Sequence, residues 1–347
     1  MKSSDDEISF LLKKAIALSD LGRKIEAEAL YLEVLDLDSD NFHAKNGLET
    51  LVSLSIPQWH FDMLADENRN KAFQKAIEEY VNKNSNVLDI GTGSGLLAMM
   101  AAKAGAKSVL GCEVNTDIAE VAEKVVAANG YQDRIRIVGR HSDRLKKGAD
   151  FEEKFDVIIA EVLDTGGLGE GVLPSLRYAI NNLAKSNATI IPSGISLKAV
   201  LIEAPKLQAV NPIREISGFD LSPFQQFRVS DTYKLINLKR EPHKVLSDVF
   251  PLRSFDFKKL PKPTEFDAPD IEPLKINCTG EGQLHGVAFW FDMHMGPEDS
   301  YSSGPDGELV HWHQAIFFFE NPIDVKKGQQ INLETLYSDE LIRFRLA

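Results

Sequence analysis

The sequence predicts a doubly wound α/β domain, preceded by a helical segment and followed by a β-rich, barrel-like domain. Three observations carry that expectation. The stretch "VLDIGTGSG" (87 to 95) runs from a strand pattern into a glycine turn that opens a helix. Apolar strand runs then alternate with helical patterns up to "FDVIIA" (155 to 160), which calls for a mainly parallel sheet with ligands at the carboxyl ends of its strands. Beyond "ATIIPSG" (188 to 194) the helical periodicity fades into short β-like runs such as "SLKAVLIEA", "HGVAFWFDM" and "AIFFF". The expected divisions are residues 1–54, 55–191 and 192–347.

At the N-terminus, Leu11, Ala15, Leu18, Gly22, Ala27, Tyr31, Val34 and Leu35 fit one 34-residue tetratricopeptide unit over residues 8 to 41, with a further helix over 42 to 54. A single repeat cannot bury its own apolar face, so it is expected to pack on the next domain, another subunit or a protein partner. Residues 57 to 80 read as helical beyond Met63. Strands follow in "NVLDIG", "SVLGCEVN", "IRIVGR" and "FDVIIAEV", with helices in "GLLAMMAAKAG" and "TDIAEVAEKVVAANG" between them. Residues 222 to 265 are irregular and proline-bearing, and read as an extended arm.

Composition narrows the function classes. The chain has 347 residues, 43% of them hydrophobic, enough to bury a sizeable core. Asp and Glu outnumber Lys and Arg by 52 to 39, and the formal charge of −13 repels phosphate backbones and anionic membranes while favouring cationic ligands. A basic polypeptide is therefore the better partner expectation, with no nucleic acid and no membrane. The two cysteines, Cys112 and Cys278, lack disulfide-framework or zinc spacing. No apolar run reaches the 18 or so residues of a membrane span and the N-terminus is acidic, so a cytoplasmic or nuclear setting is expected.

The glycine turn holds the cofactor reading. Gly91, Gly93 and Gly95 let the backbone accept positive φ and approach a ligand closely. A lone G-x-G-x-G does not separate a nicotinamide from an S-adenosylmethionine site, but Asp89 directly before the turn and the absence of G-x-G-x-x-G favour the methyl donor. Glu113, ending the second strand, is placed to accept hydrogen bonds from two ribose hydroxyls. Ser142 and Asp143, after the third strand, are placed to reach the adenine edge. After the fourth strand, "EVLDTGGLGE" (161 to 170) sets Glu161 and Glu170 at either end of a glycine-bearing loop.

Acids so spaced resemble the double-E loop of the protein arginine methyltransferases, and the resemblance covers most of the chain. "VLDIGTGSGLLAMMAAKAGA" is similar to that family's donor-binding motif and "VLGCEVN" to its ribose-acid strand. "HWHQ" (311 to 314) is similar to its "THW" loop, with Val310 in place of Thr, and "WHFDMLADENRN" (59 to 70) to its cofactor-covering helix. The resemblance implies a Rossmann-like class I methyltransferase domain and a β-barrel, S-adenosyl-L-methionine as donor, S-adenosyl-L-homocysteine as product, and no metal. Glu161 and Glu170 would then hold the substrate arginine. Arg69 would pair with the donor carboxylate, while Phe61 and Met63 would border the donor, Met63 at the methyl. His311, with Asp66, would either relay the proton or join the two domains. Trp312 would wall the arginine channel. His313 and His294 lack the partners a metal site needs.

The chain departs from the asymmetric-dimethylating branch in having "VLD" after Glu161 and Val172 after the second acid. "WHFDML", "EVLDTGGLGEG" and "LSPFQQF" (221 to 227) look more like the monomethylating type III branch and its tetratricopeptide-bearing, symmetric-dimethylating relative. Those relatives generally carry two tandem modules, so a homodimer built through the 222 to 265 arm is expected to supply the missing half. Asp164 adds a third acid at the loop entrance and suggests substrates with basic residues around the target. The competing expectations are a catalytically idle scaffold recruiting partners through its helical repeat, and a methyltransferase of a small molecule.

Overall fold

A computed structural model gives the fold and describes residues 4–56, 59–209, 215–227, 233–260, 269–296, 299–307 and 311–347. The chain forms two compact units, Met1–Ala65 and Asp66–Ala347.

The first unit contains helices α1 (Ser4–Asp20), α2 (Lys24–Leu37), α3 (Phe42–Ser55) and α4 (Trp59–Ala65). Gly22 takes φ +72° between α1 and α2, and its N–H returns to the Ser19 carbonyl at 2.9 Å, the αL ending that glycine gives a helix. Leu11, Ala15, Leu18, Ala27, Tyr31 and Val34 are buried at the centre of the resulting hairpin, and Leu35 packs beside them. The Tyr31 ring fills the space a Cβ on Gly47 would need, so α3 closes against α2 only because that residue is glycine. One expectation is corrected here: helix α4 starts at Trp59 rather than beyond Met63.

In the second unit, Asp66 starts α5 (Glu67–Tyr80) by accepting the Arg69 N–H at 3.0 Å. The sheet strands are β1 (Asn86–Ile90), β2 (Ser108–Glu113), β3 (Ile135–Gly139), β4 (Phe155–Ala160) and β5 (Ala184–Ile191). They are joined by α6 (Leu96–Lys103), α7 (Thr116–Ala128) and α8 (Val172–Asn182). All pairings are parallel, in the order β3-β2-β1-β4-β5. Every residue of β1 is buried, as expected of a strand covered by helices on both faces. Register then aligns the functional edge: Ile90 pairs with Cys112 on one side and Ala160 on the other, so Gly91, Glu113 and Glu161 follow side by side.

The remaining residues are mostly antiparallel. After β6 (Gly194–Glu203) come helix α9 (Pro205–Ala209), a short hairpin of β7 (Glu215–Ile216) and β8 (Phe219–Asp220), and a 3-10 turn at Ser222–Phe227. Strands β9 (Lys234–Ile236), β10 (Lys244–Val245), β11 (Phe250–Asp256), β12 (Asp270–Asn277), β13 (Gly282–His294), β14 (Ser300–Ser302), β15 (Gln314–Val325), β16 (Gln330–Tyr337) and β17 (Ile342–Leu346) complete the chain. One sheet runs β10-β6-β13-β15-β9, with β11 on β6 and β14 on β13; another runs β12-β16-β17. An aromatic core joins the two: Phe344 meets Phe289 at 5.4 Å and Phe317 at 5.7 Å between ring centres.

This pairing corrects the reading of 222 to 265 as an arm. Its described strands β9, β10 and β11 belong to the larger sheet, while residues 228–232 and 261–265 lie outside the described residues. Exposed apolar side chains occur at Ile216, Phe219, Leu221 and Phe224, around the start of this segment.

Candidate active site

The turn after β1 is built around glycine. Gly91, Gly93 and Gly95 take φ of +68°, +51° and +81°, and a Cβ on Gly91 would stand 2.5 Å from Val162 Cγ1. The donor turn therefore touches the residue that follows Glu161. Beneath it, Asp89 is fully buried. Its Oδ2 accepts the Thr92 hydroxyl at 2.6 Å, its Oδ1 has no hydrogen-bond partner, and burial pushes its carboxyl up to about 7. Glu113 accepts the Gly93 N–H at 3.1 Å on one oxygen and the Asn115 N–H at 2.9 Å on the other, which fixes its carboxylate against the turn. Ser142 is buried with its hydroxyl unpartnered, whereas the neighbouring Asp143 is half-exposed and engaged by His141 Nδ1 at 2.8 Å. Of the two residues expected at an adenine edge, only Ser142 keeps an unused buried polar atom.

Glu161 leaves the end of β4 and its carboxylate pairs with the Arg69 guanidinium, both side chains within 5% exposure. Arg69 also donates to Asn70 Oδ1 at 2.8 Å, and its Nε has no partner. The sequence reading assigned Arg69 to a donor carboxylate; here one edge of the guanidinium holds the first glutamate of the loop. Glu170 is reached by solvent, yet protein surrounds it closely enough that burial, and then the charges of Glu161, Asp164 and Glu113, push its carboxyl up to about 7. The two acids thus lie within electrostatic reach of one another at the edge of the glycine turn.

The loop between them is held rigidly. Leu163 and Leu168 are buried, Gly167 takes φ +85°, and the Trp312 indole N–H donates to the Leu163 carbonyl at 2.7 Å. Trp312 is 3% exposed and meets Phe291 at 5.2 Å, so it anchors the loop from the core instead of walling an open channel. Asp164 is likewise occupied: Oδ1 accepts the Gly169 N–H at 2.7 Å and Oδ2 the Tyr233 hydroxyl at 2.5 Å.

Asp66, which the sequence resemblance would also set against substrate, is held by several donors of the protein itself. Besides capping α5, it accepts the Tyr301 hydroxyl at 3.0 Å and, at 3.3 Å each, the His311 N–H and ring Nδ1. Burial alone would raise its carboxyl, but these hydrogen bonds outweigh it and hold the group at about 2. Asp66 and His311 therefore form a strut between α5 and the residues leading into β15. Tyr301, Tyr233 and Thr92 were not singled out by sequence. Phe61 and Met63 lie on α4 in the first unit. Val310 lies outside the described residues, among which no group of His, Cys, Asp and Glu is arranged to hold a metal.

The residues fit an S-adenosyl donor on their own chemistry. The turn closes on glycine where a Cβ would intrude, Glu113 is buried and fixed at the next strand end, and the unused polar atoms of Asp89, Arg69 and Ser142 border the same sheet edge. Carboxylates outnumber cations there, as a sulfonium requires. In the buried Arg69–Glu161 pair each charge compensates the other. Arg69→Met is expected to leave Glu161 buried without a counter-charge and to cost about 3–5 kcal/mol, read as a lowered denaturant midpoint.

Comparison with known proteins agrees with this reading. Residues 72–208 match the family described as ribosomal protein L11 methyltransferase (PrmA), and residues 196–345 the arginine methyltransferase oligomerization subdomain. The chain is 35% identical over 311 residues to an arginine N(omega)-methyltransferase of Streptomyces achromogenes subsp. streptozoticus, covering 90% of this chain and 83% of that protein. It is 29% identical to protein arginine N-methyltransferase 7 of Oryza sativa subsp. indica, covering 83% of this chain but only 44% of that protein's length. The fold matches the Trypanosoma brucei PRMT1 enzyme-prozyme heterotetrameric complex with AdoHcy at a TM-score of 0.68 and 24% identity, over 82% of this chain and 89% of that one. The chain belongs to the protein arginine methyltransferase family, whose methyl donor is S-adenosylmethionine.

Proposed function

We propose that this protein transfers one methyl group to a guanidino nitrogen of arginine in basic proteins, giving mainly the monomethyl product. The observation that carries the proposal is the acid loop. Strand register sets Glu161 beside the donor turn, and Glu170 lies within reach of the same charges. A guanidinium stays protonated in water and is a poor nucleophile. Two carboxylates that grip it draw positive charge off one nitrogen and turn that nitrogen towards the turn. The bound donor supplies an electrophilic methyl group on a sulfonium. Glu161, already held by Arg69, serves as the fixed arm; Glu170, ionised above about pH 7, accepts the N–H bonds and stands ready to take the departing proton. Phe61 and Met63 are assigned to the donor-covering helix on the sequence resemblance. "VLD" after Glu161, through its resemblance to the type III branch, supports the monomethylating assignment.

The Streptomyces relative is named for arginine itself, which supports a second reading with the free amino acid as acceptor. Mass spectrometry of a basic-protein mixture and of free L-arginine, each incubated with enzyme and isotopically labelled donor, separates the two. Labelled monomethylarginine inside protein is the expected outcome; label confined to the free amino acid would replace it with the second reading. Glu161→Gln and Glu170→Gln are each expected to lower kcat by at least about a hundredfold.

The pH profile follows from Glu170. Its folded pKa lies above the ordinary carboxylate value, so below about 7 the group is protonated and cannot draw charge from the guanidinium. kcat/KM is expected to rise as pH climbs through about 7 and then to level off. A profile flat from about pH 5.5 to about pH 8.5 would remove Glu170 from this role.

Assembly as a homodimer is part of the same proposal. Residues 196–345 match a subdomain described by oligomerization, and the exposed Ile216, Phe219, Leu221 and Phe224 offer an apolar contact there. Light scattering is expected to give twice the chain mass, falling to the monomer mass in Phe219→Glu. A monomer already present in the unaltered protein would contradict it. A tetratricopeptide ancestry for α1 and α2, with a protein partner on their outer face, rests on the spacing of their apolar residues.

A further inference from the structure

We propose that Tyr233 and Asp164 form a latch that positions Glu170, and that Asp164 does not select basic residues in the substrate. The inference rests on the arginine-methylating reading of the same loop. Its basis is geometric. Tyr233 immediately precedes β9, in the β-rich half of the unit, and is separated by 69 residues from Asp164, whose Oδ2 receives its hydroxyl at 2.5 Å. The opposite oxygen, Oδ1, takes the Gly169 N–H at 2.7 Å, one residue before Glu170. The carboxylate therefore spans the loop from its fourth residue to its ninth.

Two glycines mould the loop to the tyrosine. A Cβ on Gly166 would overlap the Tyr233 ring, and one on Gly169 would stand 2.7 Å from Asp164 Oδ2 and 2.9 Å from the Tyr233 hydroxyl. The ring itself is set edge-on against Phe289 of β13 at 5.2 Å, so the latch is referred to the aromatic core rather than to solvent. A carboxylate that accepts from a hydroxyl on one oxygen and an amide on the other is fixed in orientation, and pulling it towards a substrate Lys or Arg would break a charge-assisted bond. The groups facing Glu170 electrostatically are Glu161, Asp164, Glu113 and Tyr233. Asp164 thus acts on the reaction through its charge and through the backbone it pins.

Tyr233→Phe and Asp164→Asn test this against the unaltered enzyme. Tyr233→Phe keeps the ring and removes the hydroxyl; it is expected to lower kcat/KM about tenfold while leaving the donor Kd, measured by calorimetry, within about twofold. Asp164→Asn retains an acceptor for Tyr233 but removes a negative charge beside Glu170, so the rising limb of kcat/KM is expected to move to lower pH. It should also leave unchanged the ratio of turnover between glycine-flanked and arginine-rich peptides. Collapse of that ratio in Asp164→Asn, or wild-type kinetics and pH profile in Tyr233→Phe, would overturn the latch. No methyl transfer by the unaltered enzyme to any arginine acceptor, with donor binding intact, would instead overturn the reading on which it rests.

Discussion

Burying several carboxylates at one edge of a parallel sheet is the constraint on which this structure depends. A carboxylate taken out of water without partners costs several kcal/mol, and it avoids that cost only by pairing, accepting hydrogen bonds or taking a proton. All three solutions occur within a few residues. Glu161 takes the Arg69 guanidinium, Glu113 two backbone amides, and Asp66 a hydroxyl, a ring nitrogen and two amides. Asp89, with one oxygen left over, and Glu170, beside its like charges, are the two whose carboxyls rise to about 7. The site's chemistry is what remains after the others are satisfied.

The β-rich half supplies much of that satisfaction. Tyr301, His311, Trp312 and Tyr233 all come from it, and each donates to a residue that the α/β half places at or beside the loop. The β-sheet core holds these donors in register: Trp312 packs on Phe291 and Tyr233 on Phe289, both on β13. Within Asp66–Ala347, the acids and their supports therefore belong to one folded body, and loss of the second half would leave charged groups in the first half uncompensated.

Much of this was legible in the sequence because the relevant signals are local. Period-two and period-3.6 patterns find β1 to β4 and the helices between them, and a glycine turn after a buried strand is a short-range requirement of the backbone. Glu161 and Glu113 could be read since each directly follows or ends such a strand. The supports could not. Tyr301 lies 235 residues from Asp66 and Tyr233 69 residues from Asp164, and a tyrosine in a β-rich segment carries no sign of the carboxylate it will meet. The protein partners of Trp312, Asp66 and Asp164 were hidden for the same reason: residue type announces a hydrogen-bonding capacity, but only the fold decides who consumes it. The arm was overextended because short strands such as Lys234–Ile236 and Lys244–Val245 fall below the length at which periodicity can be seen.

Net charge and site charge consequently answer different questions. A formal charge of −13 steers cationic ligands towards the protein over roughly a Debye length and no further, and it does so without regard to which acids are engaged. Recognition at contact depends on lone pairs still available after folding. In the acid loop each Asp164 oxygen already accepts one hydrogen bond, Glu161 shares one oxygen with Arg69, and Glu170 lies among the charges of Glu161, Asp164 and Glu113. Burial first, and then those charges, raise Glu170; a guanidinium entering there would offset the charges and so favour ionisation of the second glutamate. On the proposed function, a planar guanidinium suits this pair because its forked donors can reach a fixed carboxylate and a second one at once.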